Sequence, residues 1–301
     1  MTTLDAFLDQ CWSDHADDPA GVANRIDQAL RLVTDEDGVA RFAMLTHHVY
    51  GEHLARWDEG ISLLDRLAAM QIDGSDGLRS LQRCRASLAL CSGAGDARPT
   101  LTGGDACRTT VMAACSLASH DSGRALLLLE EATAAAATLP DDDAAVRSVA
   151  SFCNNIAGTL QEHGDLSDSS RSLMLRAADL SRSHWERAGT WREVERAEYR
   201  LAVCHLAAGD GPRALKHAEL CDRIVRENGS EPLEVFFASE AIALSALATG
   251  KDELFGQFLT SAEAAFAEVP LDDQDWCRPT LERLRGHPGS LTGRKSAPGA
   301  V

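Results

Sequence analysis

The sequence predicts an all-α chain built from repeated antiparallel helix pairs, and three observations predict it. No segment alternates Val, Ile, Thr or aromatic residues with polar ones, so strand signals are nearly absent. Apolar residues instead recur with the 3.6-residue period of amphipathic helices. The third observation is internal self-similarity. The segments "NIAGTLQEHGDLSDSSRSLMLRA", "RLAVCHLAAGDGPRALKHAELC" and "AIALSALATGKDELFGQFLTSA" align on the turn glycines Gly164, Gly209 and Gly250, which are 45 and 41 residues apart. Self-similarity at such a period marks an array in which each helix pair buries its apolar face on its neighbours. A fourth copy, "VMAACSLASHDSGRALLLLEEA", places His120 at the turn. A fifth, "HHVYGEHLARWDEGISLLDRL", places Ala55 there.

Taken in chain order, residues 3–34 read as two short helices broken at Asp17-Asp18-Pro19, an atypical pair capping the array within residues 1–36. The repeats occupy 37–268. Within them, the stretch 93–104, "GAGDARPTLTGG", is too short and broken for a normal second helix and reads as a degenerate repeat or an elaborated loop. Pro140 and Pro270 follow helical runs and stop them, while Pro212 and Pro232 sit in first turns, where a missing N–H costs little. Thr190 and Glu193 have capping-box spacing after Gly189, a C′ glycine, so one helix should end near Arg187 and the next begin near Trp191. A final helix at 272–285, within a capping segment 269–285, covers the last repeat, with Pro279 able to reset its start. The Gly-, Pro- and Ser-rich tail 286–301 reads as disordered.

Small residues recur where paired helices must cross closely: Ala202, Ala214 and Cys221 around Gly209; Ala113, Ala125 and Ala132 around His120; Ala243 and Ala262 around Gly250, with Phe255 between them. After Gly164 the pattern slips by one, placing Arg176 where a small residue belongs and Ala177 beside it. With the glycine turns and with Trp57 ahead of Gly60, this pattern resembles the tetratricopeptide repeat family. The long period and the "NNIAG" run are similar to the longer-helix variant found in kinesin light chains. The resemblance implies a right-handed superhelical solenoid whose first helices line a concave groove. It implies protein or peptide binding there, with no cofactor.

Composition narrows the partners. The 301 residues carry 46 acidic and 29 basic side chains, a net charge of −17, and only three lysines. Such a surface repels nucleic acid and anionic membranes. There is no apolar run of about 18 residues and no basic-then-apolar start, so a soluble cytoplasmic chain is expected. Nine cysteines, an odd number without a CxxC pair, read as reduced core residues.

Enzyme signatures are missing. There is no phosphate-binding glycine loop and no GxSxG elbow. Asp141-Asp142-Asp143 and Asp272-Asp273-Gln274-Asp275 lie beside prolines at helix starts, where acidic groups complement the helix dipole. The run "HHVYGEH" offers His47, His48, Glu52 and His53, with His48 and Glu52 four apart on one α-helical face. The order is not HExxH and no further ligand is recognisable. His47 and His48 are expected to pack against the partner helix, and Glu52 and His53 to face groove or solvent; no metal is expected. The chain is therefore read as a binding protein and not an enzyme.

Counting back from each turn gives the groove positions that the resemblance implies. From Gly164 these are Ser151, Asn154, Asn155, Gly158 and Gln161; from Gly209, Arg196, Tyr199 and Arg200; from Gly250, Phe237 and Glu240. Groove asparagines would hydrogen-bond a peptide main chain, each amide serving as donor and acceptor; the alternative is a bond to the neighbouring helix. Arg196 and Arg200 would hold a carboxylate or acidic peptide, and replacing both by alanine should weaken binding without lowering the melting temperature. A scaffold or adaptor for a peptide segment is the expectation. A regulatory sensor for a small molecule or signalling partner is the alternative. Partner identity and oligomeric state are not encoded in any recognisable motif.

Overall fold

The computed structural model describes residues 3–164 and 166–287, and among these residues the chain is all-α. Among the described residues fourteen α-helices, joined by short 3-10 and π segments, pack in sequence-adjacent pairs with no strand. The chain divides into two compact units, Met1–Leu160 with Leu166–Leu173, and Gln161–Asp165 with Met174–Val301.

The first unit opens with α1 (Leu4–Asp14) and α2 (Pro19–Ile26), broken where the Asp-Asp-Pro run predicts. Asp18 caps α2, its carboxylate accepting from the Gly21 N–H at 2.8 Å. Then α3 (Glu36–Thr46) passes directly into a π-helical segment, His47–His53, before a turn at Ala55 (φ 50°) leads into α4 (Trp57–Ala68). Helix α5 (Ser75–Ser92) packs on α3, α4 and the following α6 (Gly103–Leu117). The stretch 93–102 is a loop, and Gly103 and Gly104 already belong to α6; the loop holds one three-residue 3-10 turn, pinned by Arg98, which donates to Asp96 and to Glu131, each at 2.7 Å. Helices α6 and α7 (Ser122–Ala136) form a close pair around the buried Ala113, Ala125 and Ala132. Asp143, from the Asp-rich run, accepts from the Ala145 N–H at 2.8 Å at the start of α8 (Ala144–His163). The core is centred on Phe42, Leu45, Leu64 and Leu88, with Leu8 and Ile26 drawing α1 and α2 onto it. Each such side chain contributes about 1.5–3 kcal/mol by leaving water.

The second unit takes α9 (Asp168–Ala188) from Met174 onward, then α10 (Trp191–Ala207), α11 (Gly211–Glu227), α12 (Pro232–Ala248), α13 (Asp252–Glu268) and α14 (Leu271–Arg285). The expected capping box forms: the Thr190 N–H donates to Glu193 at 2.8 Å, and the Thr190 hydroxyl caps the first turn of α10. Gly209 and Gly250 adopt the left-handed conformation at φ 77° and 70°, so the turns the repeats align on are the ones that need glycine. Ala202, Ala214, Cys221, Ala243 and Ala262 are all fully buried at the helix crossings, as is Phe255. Ala177 is buried and Arg176 exposed, matching the one-residue slip.

Two local expectations change. Gly189 is not left-handed; it is needed for space, since an added Cβ would lie 2.8 Å from the Trp185 carbonyl oxygen. Helix α14 begins at Leu271 and runs through Pro279 instead of restarting there. All nine cysteines are buried free thiols. The expected tail lies outside the described residues from position 288 onward.

Candidate functional site

The π-helical segment shapes the main candidate site, which lies within the first unit. In an α-helix, residues five apart point about 140° away from each other. Winding with i→i+5 hydrogen bonds brings them back toward one face, and π turns of this kind are rare and frequent at functional sites. Here that winding sets His53 beside His48, with their Nε2 atoms 3.1 Å apart and ring centroids at 4.7 Å. His15, the residue that ends α1, closes the group at centroid distances of 4.8 Å from His48 and 5.2 Å from His53. Trp12 packs against both His15 and His48. Gly51 makes the close fit possible, because a Cβ there would lie 2.8 Å from Ser116 Oγ and 2.9 Å from Leu88 Cδ2.

The same winding redirects Glu52. Contrary to the expectation of groove or solvent, its carboxylate turns inward, 2.9 Å from His48 Nδ1 and 3.6 Å from His47 Nδ1. His47 is fully buried, with Nε2 at 2.9 Å from Ser87 Oγ and 3.4 Å from Ser116 Oγ. Burial alone would raise the Glu52 pKa, but the hydrogen bonds and charge of the two histidines outweigh it and hold the carboxyl well below its usual range. Burial, and then the neighbouring His48 and His15, push His53 down to about 4, so its imidazole is neutral at pH 7. An open pocket of about 530 Å³ borders this cluster, with Trp12, Met44 and Phe152 as its apolar walls and His48, Arg147 and Asn155 among its polar ones.

Of the groove positions counted from Gly164, Ser151 and Asn155 are exposed and line that pocket, while Asn154 is half-buried on the same helix. The positions counted from the later turns meet acidic partners within the second unit. Arg196 donates to the buried Glu234 at 2.5 Å, and Arg192 stands 4.0 Å from the same carboxylate. The Tyr199 hydroxyl donates to Glu240 at 2.9 Å, and Arg283 donates to the other oxygen at 2.7 Å. Arg200 donates to Gln161 Oε1 at 3.3 Å. Arg196, Tyr199, Arg200, Gln161 and Glu240 are thus engaged with residues of their own unit. The ion pair changes what removing Arg196 costs, because Glu234 is 4% exposed and would lose its closest cation.

Beneath this network lies a more unusual group. Glu195 is 1% exposed; its Oε1 accepts from the Cys221 thiol at 2.9 Å, and its Oε2 has no hydrogen-bond partner. Burial pushes its carboxyl up to about 8, so it is held as a neutral acid at pH 7. Nearby, Glu198 receives Arg182 at 2.6 Å and His217 at 2.7 Å, and these bonds outweigh burial and lower its pKa.

No family model matches the chain, and no curated protein matches it.

The sequence places His48 and Glu52 together correctly but misses His53 and His15. An α-helical reading puts His53 on another face, and nothing in the spacing ties position 15 to position 48. The rarity of three histidines and a glycine in seven residues, "HHVYGEH", was the available signal.

Proposed function

We propose that this chain is a binding module of tetratricopeptide-like helix pairs, stacked as a right-handed array, that holds an extended peptide segment of a partner protein. The observation that carries this reading is the pocket in the first unit. Its lining includes Ser151 and Asn155, two positions that the repeat register assigns to a peptide groove, set against apolar walls from Trp12, Met44 and Phe152. An apolar peptide side chain fits those walls, and the Asn155 amide can serve a peptide N–H or C=O beside it. Helix pairing with alanines at the crossings supports the repeat reading, as does glycine at the turns. No helix among the described residues is long and apolar enough to cross a membrane, and the net charge of −17 disfavours nucleic acid as the ligand.

A displayed random-peptide library selected on the whole chain tests the reading. The expected result is a family of peptides sharing an apolar anchor, whose affinity falls roughly fivefold in Asn155→Ala, as about 1 kcal/mol for one hydrogen bond dictates. Because Asn155 is exposed, the melting temperature should not change. Absence of any enriched family, or peptides indifferent to Asn155, would overturn it. The size of the pocket also suits a small molecule, which favours the sensor as a second reading. A metabolite that shifts the melting temperature, and whose effect is lost in Asn155→Ala, would replace the peptide by that ligand.

A further inference from the structure

We propose that His15, His48 and His53 form a three-histidine site for a divalent transition-metal ion of the zinc class. One ligand nitrogen from each lies within 4.8 Å of the others. The closest pair, His48 Nε2 and His53 Nε2, stand 3.1 Å apart. Two imidazole nitrogens bound to one tetrahedral zinc at about 2.0–2.1 Å are roughly 3.3–3.4 Å apart, so this edge of the site already has nearly the required length. His15 has to approach by a side-chain movement of an ångström or so, on the scale of ordinary rotamer adjustment.

The orientation of the rings carries the argument further. A metal-bound histidine commonly has its other nitrogen held by an acceptor, which fixes the tautomer and aims the ligand lone pair, and two of the three rings here are held so. His15 Nδ1 lies 2.5 Å from the Trp12 carbonyl oxygen, and His48 Nδ1 lies 2.9 Å from the Glu52 carboxylate. An Nδ1–H donated to each acceptor leaves the Nε2 lone pairs of both rings available. The second of these is a carboxylate–histidine arrangement of the kind that supports metal ligands, and it is built from the residues the π winding brings together.

The donor set selects the ion. Three imidazoles suit zinc, copper, nickel or cobalt, whereas magnesium and calcium take oxygen donors, and the one nearby carboxylate is occupied by His48 and His47. Three protein ligands leave a fourth position for water or for a donor atom from elsewhere. The proposal does not depend on the peptide reading: a metal can bind whether or not a peptide enters the pocket.

The test uses the whole chain, free of any affinity tag and stripped by a chelator. Zinc titration by calorimetry should show one equivalent bound, and cobalt should give the intense visible absorption of a four-coordinate nitrogen-ligated ion without a thiolate charge-transfer band. His15→Ala and His53→Ala should each weaken binding at least tenfold, while His163→Gln, on the exposed end of α8, should bind as the parent does. Zinc should raise the melting temperature of the parent and not of the two variants. Absence of one-to-one binding would overturn the proposal, as would a thiolate band, or zinc affinity retained in both variants. Where a variant fails to fold, the cobalt spectrum of the parent decides alone.

Discussion

Replacing Glu195 by glutamine should make the second unit more resistant to unfolding as pH rises. The carboxyl has a pKa of about 8 in the folded chain against an ordinary value of 4.5. Between those values the folded chain keeps a proton that the unfolded chain has released, so folding loses stability with every step upward in pH. The contribution is complete below pH 4.5, declines through the interval and levels off above about pH 8. The slope is about 1.4 kcal/mol per pH unit, which over the whole interval amounts to about 5 kcal/mol. Between pH 5.5 and 7.5 the parent should therefore lose about 2–3 kcal/mol relative to Glu195→Gln. Burial lowers the pKa of His53, His184 and His205, which gives the opposite slope below pH 6.5; these groups are common to both proteins and cancel in the difference. Urea unfolding followed by circular dichroism at half-unit pH steps measures that difference directly. A flat difference, or one in which the variant loses ground as pH rises, would show that Glu195 is ionised in the folded chain and would refute the reasoning.

Other perturbations follow from the same contacts. Arg196→Ala leaves the Glu234 carboxylate with only Arg192 at 4.0 Å, and should cost about 1–2 kcal/mol by urea unfolding, because the arginine side chain itself is largely exposed. Unchanged stability would return Arg196 to the free groove position its register suggests. Gly51→Ala drives a Cβ into Ser116 and Leu88, should cost about 1–3 kcal/mol, and should weaken zinc binding by shifting His48 and His53. A variant as stable as the parent would mean the segment relaxes freely. Phe236→Ala empties a fully buried site in the second unit and should cost about 3–5 kcal/mol in the same assay. Glu52→Gln removes the acceptor charge behind His48 and should lower zinc affinity about 10–100-fold, read by calorimetry.

What the sequence reveals and what it hides divide along a physical line. Turn glycines, the Thr190–Glu193 capping box, the break at Pro19 and the alanines at helix crossings are local or periodic, and each appears where expected. The π winding is neither. It replaces one period by another for seven residues, and so turns Glu52 inward and His53 beside His48 against the α-helical expectation. Partner choice is hidden for a different reason. Arg196 finds Glu234, Tyr199 finds Glu240 and Arg200 finds Gln161, each about forty positions away, close to the spacing of the turn glycines. The register places Arg196, Tyr199, Arg200, Gln161 and Glu240 on one groove but does not name Glu234; only the packed helices show which of them bond to which.

The buried thiols have a practical consequence. Nine cysteines are spread from Cys11 to Cys277, and none is open to solvent in the folded chain. A thiol reagent can therefore reach each one only when the helices around it separate. Burial also pushes the thiols of Cys84, Cys91 and Cys204 up to about 12, so in place they are almost wholly in the unreactive protonated form. Labelling in the native buffer, resolved cysteine by cysteine by mass spectrometry, would clock the opening of individual helix pairs along the chain. The sequence thus carries its own set of opening reporters, already distributed over both units, and no residue has to be introduced to use them.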